Sequence, residues 1–157
     1  MDFHQALNIV VAELTPQPWD FTDSTGTTLT VIPAGMPADP GEAKVMIRIT
    51  RPDATGLAEY GITGPNSRGV AETGIPTADM PGLLEALDNR TAWEHVTLTS
   101  DTLTVIPDGD ELALTVTETH DGPVREVAAA TRIPAAQRMP LASALRRAFD
   151  VARAWED

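Results

Sequence analysis

Several stretches of the chain alternate apolar and polar residues with a period of two. Val45, Ile47 and Ile49 alternate with Met46, Arg48 and Thr50, and Leu112, Leu114 and Val116 alternate with Ala113, Thr115 and Thr117. That spacing puts one apolar row on one face of a strand. Leu29 and Val31 alternate with Thr30 and Ile32 in a β-branched run that Pro33 ends, and Leu103 and Val105 do the same before Pro107. Both runs predict core strands. A further strand is expected near residues 70–75 and another near residues 124–133. The period changes to that of a helix at Leu83, Leu84 and Leu87, after Asp79-Met80-Pro81, an N-cap candidate with an early proline. It changes again at Leu141, Leu145, Ala148, Ala152 and Trp155. Phe3, Leu7, Val10 and Leu14 form a third helical stripe, which Pro16 and Pro18 end.

These elements are written twice. Residues 19–35 read WDFTDSTGTTLTVIPAG and residues 93–109 read WEHVTLTSDTLTVIPDG, an offset of 74 with nine of 17 positions identical. Self-similarity of that kind marks a duplicated module. The offset falls to 67 where Val45 matches Leu112 and to 58 where Ile75-Pro76 matches Ile133-Pro134. The first copy is therefore longer by seven residues before its third strand and by nine before its fourth. The reading is an N-terminal helix and linker over 1–18, then a ββββα unit over 19–92 and a second over 93–157, together one domain. One-faced strands need a cover, and amphipathic helices supply it. The expected class is α+β: duplicated ββββα units related by a pseudo-twofold, their antiparallel strands packed by helices.

Duplication also sorts residues. Those kept in both copies serve the shared fold, so Trp19, Trp93, Leu29, Val31, Leu103 and Val105 are read as structural, the two tryptophans as packing anchors. Residues confined to one copy are free to serve function. The longer second loop of the first unit carries the only tyrosine, Tyr60, with Glu59 and Arg68 nearby. These three are the candidate partner-contact residues, because long loops change without unfolding a core.

Composition narrows the chemistry. The chain has no cysteine, which excludes disulfides, thiol catalysis and cysteine metal sites. His4, His95 and His120 stand far apart, with no HxH or HxxxH spacing. No nucleophile elbow, P-loop or Rossmann fingerprint is present. Asp108-Gly109-Asp110-Glu111 lacks the later glycine and glutamate of a calcium loop and reads as a turn. The expectation is no catalytic, cofactor or metal-binding residue and no cofactor. The start of the chain lacks the pattern of an export signal and no apolar run is long enough for a membrane span, so the expected location is the cytoplasm, away from membranes.

Eleven basic residues stand against 23 acidic ones, a net charge of −12. Such a surface repels phosphate backbones. The order of two consecutive ββββα units resembles that of Whirly-type proteins, which bind single-stranded nucleic acid. The resemblance is one of topology, and no residue motif of that family accompanies it. Residues 93–126 carry eight acids and one base, whereas a nucleic-acid-binding sheet interleaves Lys and Arg with exposed aromatics. The leading expectation is therefore a non-enzymatic protein-interaction domain: an adaptor, a chaperone-like carrier or an assembly subunit. Its partner would be a protein, basic by charge complementarity, and nucleic acid is not expected. The alternatives are a Whirly-like single-strand binder and a small hydrolase without a recognisable motif. Oligomeric state is left open between monomer and homodimer.

Overall fold

The computed structural model describes residues 18–36, 39–55, 68–120 and 126–156. Its first unit comprises β1 (Trp19–Thr22), β2 (Thr28–Met36), β3 (Asp39–Thr55), β4 (Arg68–Pro76) and helix α1 (Met80–Asn89). The second comprises β5 (Trp93–Val96), β6 (Thr102–Asp108), β7 (Glu111–Thr119), β8 (Glu126–Ile133) and helix α2 (Arg138–Ala154). A short 3₁₀ turn links the last strand to the helix in each unit, at Thr77–Asp79 and at Ala135–Gln137. The strands form two separate antiparallel sheets, β1-β2-β3-β4 and β5-β6-β7-β8. The expected N-terminal helix lies outside the described residues, as do Glu59 and Tyr60.

Register follows the apolar pattern. Trp19 pairs with Val31 and Phe21 with Leu29; Trp93 pairs with Val105 and His95 with Leu103. A slip of one residue would turn each apolar row outward, so burial on one face fixes the pairing. The tight turns differ in chemistry. In the β1–β2 turn the Asp23 carboxylate accepts the Thr25 amide at 2.8 Å and the Thr27 amide at 3.1 Å, while Gly26 takes φ +90°. In the β5–β6 turn the Thr97 hydroxyl accepts the Asp101 amide at 3.0 Å, and Ser100 takes φ +67°.

One hydrophobic cluster runs through both units. Leu29, Val31, Val45, Ile47 and Ile49 from the first sheet join Leu103, Val105, Leu112, Leu114 and Val116 from the second, together with Leu83 of α1 and Leu141 and Leu145 of α2. Trp19 and Trp93 lie half-buried against it. The packing crosses over: α2 lies on β2 and β3 of the first sheet, α1 touches α2 and β5, and β4 packs on β7 and β8. Each sheet thereby keeps one face for the core and turns the other outward. A buried Glu118 carboxylate accepts the Glu72 amide of β4 at 3.0 Å and joins the two sheets. Asp79 sits at the start of α1 but its carboxylate does not cap it; it meets His95 Nε2 at 3.1 Å instead.

Candidate functional site

The outward face of the first sheet is built by the positions that alternate with the core rows. On β3 these are Lys44, Met46, Arg48 and Thr50, flanked by Thr30, Ile32 and Ala34 of β2 and by Glu72 and Gly74 of β4. Between residues 43 and 52, β3 carries Lys44, Arg48 and Arg51 and no acid. One polar row crosses all four strands: Thr30 donates to Asp20 at 2.7 Å, and Arg48 Nε donates to Glu72 at 2.6 Å. Beside it, Met46 pairs with Gly74, and the Lys44 and Met46 side chains lie over the glycine, where a Cβ would come 2.9 Å from Met46 Sδ and collide with the Lys44 stem. With no Cβ at Gly74 both side chains lie close over the strand, so a cation and a thioether share one surface.

The second sheet presents other chemistry at the matching positions. Glu111, Ala113 and Thr115 stand where the first sheet has Lys44, Met46 and Arg48, and Ala130 and Arg132 stand where it has Glu72 and Gly74. Thr102, Thr104 and Thr117 lie on the same face, with Ile106 exposed beside Ala113. Arg132 is held by Glu111, its Nε donating at 2.9 Å, and by Asp108. This face has no free cation of its own among the described residues.

A groove of about 730 Å³ lies where the β1–β2 turn meets this second sheet. Phe21 forms a wall, Asp23, Ser24 and Thr25 one rim, and Ala113, Thr115 and Ala130 line it from β7 and β8. The Thr131 hydroxyl donates to Asp23 Oδ2 at 2.8 Å and ties the turn to β8. Burial pushes the Asp23 carboxyl up, but hydrogen bonds from Thr25, Thr131 and the Thr25 and Thr27 amides outweigh that and hold its pKa below the ordinary value. Asp23 is therefore a carboxylate at neutral pH.

Of the sequence-predicted contact residues, Arg68 is exposed at the start of β4, across from Thr55. His95 stacks on Trp93 with ring centroids 5.9 Å apart while it meets Asp79. His120 Nε2 lies 3.5 Å from the Glu118 carboxylate. Neither histidine lines the groove. Among the described residues no cluster of three or more His, Asp or Glu side chains has the placement to hold a metal ion. No helix among them is long and apolar enough to cross a membrane. Sequence reading passed over Lys44, Arg48 and the Asp23 turn. The signal was there: three bases in eight residues of one strand, and an aspartate in the first turn that is Thr97 in the second.

No protein-family model matches the chain, and no curated protein matches it in sequence. Its fold, however, is found in solved structures. MRP1/MRP2 of Trypanosoma brucei superimposes with a TM-score of 0.64 at 17% identity, covering 100% of this chain and 99% of that one. The plant transcriptional regulator PBF-2 gives 0.62 at 15% identity over 90% of this chain and 84% of its own. A guide-RNA-binding protein complex bound to a gRNA gives 0.59 at 19% identity, with 90% and 94% covered. The architecture is Whirly-like, as the element order implied. The expected protein-interaction domain with a basic protein partner is corrected by these neighbours, and so is the exclusion of nucleic acid. The error was one of averaging. A net charge of −12 describes the whole surface, whereas binding depends on one face, and on the first sheet that face carries Lys44 and Arg48.

Proposed function

We propose that this protein binds single-stranded nucleic acid on the outward face of its first sheet. The observation that carries the reading is the placement of Lys44, Met46 and Arg48 on one open strand, with the second sheet holding Glu111, Ala113 and Thr115 at the same positions. Lys44 meets a phosphate, and Arg48, whose Nε stays on Glu72, offers a second phosphate its remaining N–H donors, while Met46, lying over Gly74, and Ile32 offer an apolar floor to unstacked bases. Arg68 extends the basic side at the start of β4. Single strands are favoured because their bases are free to lie on a flat sheet, and a duplex hides them.

The acidic remainder sets the strength. Its long-range repulsion opposes any polyanion and weakens as salt screens it, whereas phosphate contacts weaken by losing their counterion-release gain. Two phosphate contacts correspond to a slope of about −1.4 in log K against log salt for a single strand. The test is fluorescence anisotropy of labelled single strands and of a duplex of equal length, read across a salt series. Single strands should bind better than the duplex, and a Lys44→Glu/Arg48→Glu variant should lose at least tenfold in affinity at low salt. Equal binding by that variant, or no binding of single strands by the wild type at about 50 mM salt, overturns the proposal.

A further inference from the structure

The groove between the β1–β2 turn and the second sheet has chemistry opposite to that of the basic face. Asp23 and Glu111 contribute two carboxylates to its lining and Arg132 one guanidinium, which both Glu111 and Asp108 already hold. A phosphate has no reason to enter. A hydrogen-bond donor does. Asp23 Oδ1 is filled by Thr25 and Thr27, but Oδ2 accepts only the Thr131 hydroxyl among the described residues and keeps a lone pair. Glu111 spends Oε2 on Arg132, and its other oxygen accepts nothing among the described residues. Phe21 adds an aromatic wall, and the small Ala113 and Ala130 leave the space open.

We infer that this groove takes one unstacked nucleobase and selects bases that carry an exocyclic amino group. The inference rests on the proposed binding of single strands and adds a preference to it. An amino group donates to the spare carboxylate oxygens, whereas a base with a carbonyl at that place brings lone pair against lone pair. The groove is within reach of the basic face. Arg48, Thr30 and Asp20 are neighbours on adjacent strands, so β1 lies roughly 10 Å from Arg48, two strand spacings away. A strand held at Lys44 and Arg48 arrives at Phe21 and the Asp23 turn as it crosses the edge of the sheet.

Cytosine and uracil make the sharpest probe, because they share ring size and differ by an amino against a carbonyl group. Anisotropy with oligo-dC and oligo-dU of about 15 nucleotides, on the scale of one binding site, reads the preference directly. The wild type should bind oligo-dC roughly tenfold tighter or more, the worth of one hydrogen bond to a charged acceptor. Ala130→Trp fills the groove from an exposed strand position and should bring the two affinities together while oligo-dU binding holds. Glu111→Gln keeps a carbonyl for Arg132 and turns an amide donor to the groove, so it should shrink or reverse the preference. Equal wild-type affinities, or a preference that both variants keep, overturn the groove and leave the basic face standing. If neither oligonucleotide binds at low salt, the reading of the basic face falls and this one with it.

Discussion

Lys44 and Arg48 in the first sheet stand where Glu111 and Thr115 stand in the second, whereas the strands beside them both read Thr-Leu-Thr-Val-Ile-Pro. Register and the inward rows are shared, and the outward rows have diverged in charge and size. The difference teaches where a duplicated fold can change. The common cluster draws side chains from both units, so a change within it is felt by the whole molecule. A side chain on an outward face touches solvent and a neighbour or two, and its replacement changes what the surface attracts. One scaffold can in this way present a basic face and, round the edge of β1, an acid-lined groove.

The strongest way to break the comparison is to challenge the shared rows. Val31 and Val105 occupy equivalent positions and are each 1% exposed. Val31→Asp and Val105→Asp should each destabilise by about 3–5 kcal/mol, because each buries a charge with no partner. Since the cluster is common to both units, either variant should lower the midpoint of one cooperative transition in urea, followed by circular dichroism. A variant that unfolds like the wild type would mean that its sheet does not contribute to the common core.

A subtler contrast lies in two buried threonines. Thr131 is 3% exposed and donates to Asp23; Thr73, its counterpart, is 2% exposed, and its hydroxyl has no hydrogen-bond partner among the described residues. The first turn supplies Asp23 to Thr131, whereas the residue equivalent to Asp23 by the 74-residue offset is Thr97. Thr131→Val should cost about 1–2 kcal/mol, since it strips a hydrogen bond from a carboxylate, and Thr73→Val should be neutral or stabilising. Acid sharpens the test. The Asp23 carboxyl is held below its ordinary 3.8, so its contribution is present above that pH and disappears as pH falls through the lowered value. Urea melts from pH 6 down to pH 2 should show the acid-side loss reduced in Thr131→Val and unchanged in Thr73→Val. The same loss in both variants would sink the assignment to Asp23.

The inward half of this fold was legible in the sequence because apolar periodicity is a local signal that burial then enforces. Leu29, Val31, Leu103 and Val105 needed only their neighbours in the chain to be placed, and the repeat supplied the pseudo-twofold. The outward half was not legible in the same way. Lys44 and Gly74 are 30 residues apart, and only the β3–β4 pairing shows that the glycine clears a bed for the lysine. The groove depends on Asp23 meeting Thr131, 108 residues away, through the packing of two sheets. Summed charge misled for a related reason: it discards position, and position separates Lys44 from Glu111. His95 shows a smaller effect of the same kind, since its strand position was readable but its bond to Asp79 was not.

The mildest test returns to the turns. Gly26 and Ser100 are equivalent by the 74-residue offset, and both take positive φ, +90° and +67°. Glycine adopts that region freely, and a side chain there crowds its own backbone. Ser100 keeps its place because the Asp101 amide and the Thr97 hydroxyl close the turn around it. Ser100→Gly should therefore stabilise by about 0.5 kcal/mol, strain relief set against the extra freedom glycine has when unfolded. Gly26→Ser should destabilise by about 1 kcal/mol or more, because a Cβ there also presses on Pro52 Cβ at 3.3 Å. Thermal melts of the two variants side by side measure the difference. Opposite signs mean that the second turn still carries a strain the first has relieved with glycine, whereas a destabilised Ser100→Gly would mean that the serine side chain holds the turn and the two turns are no longer the same device.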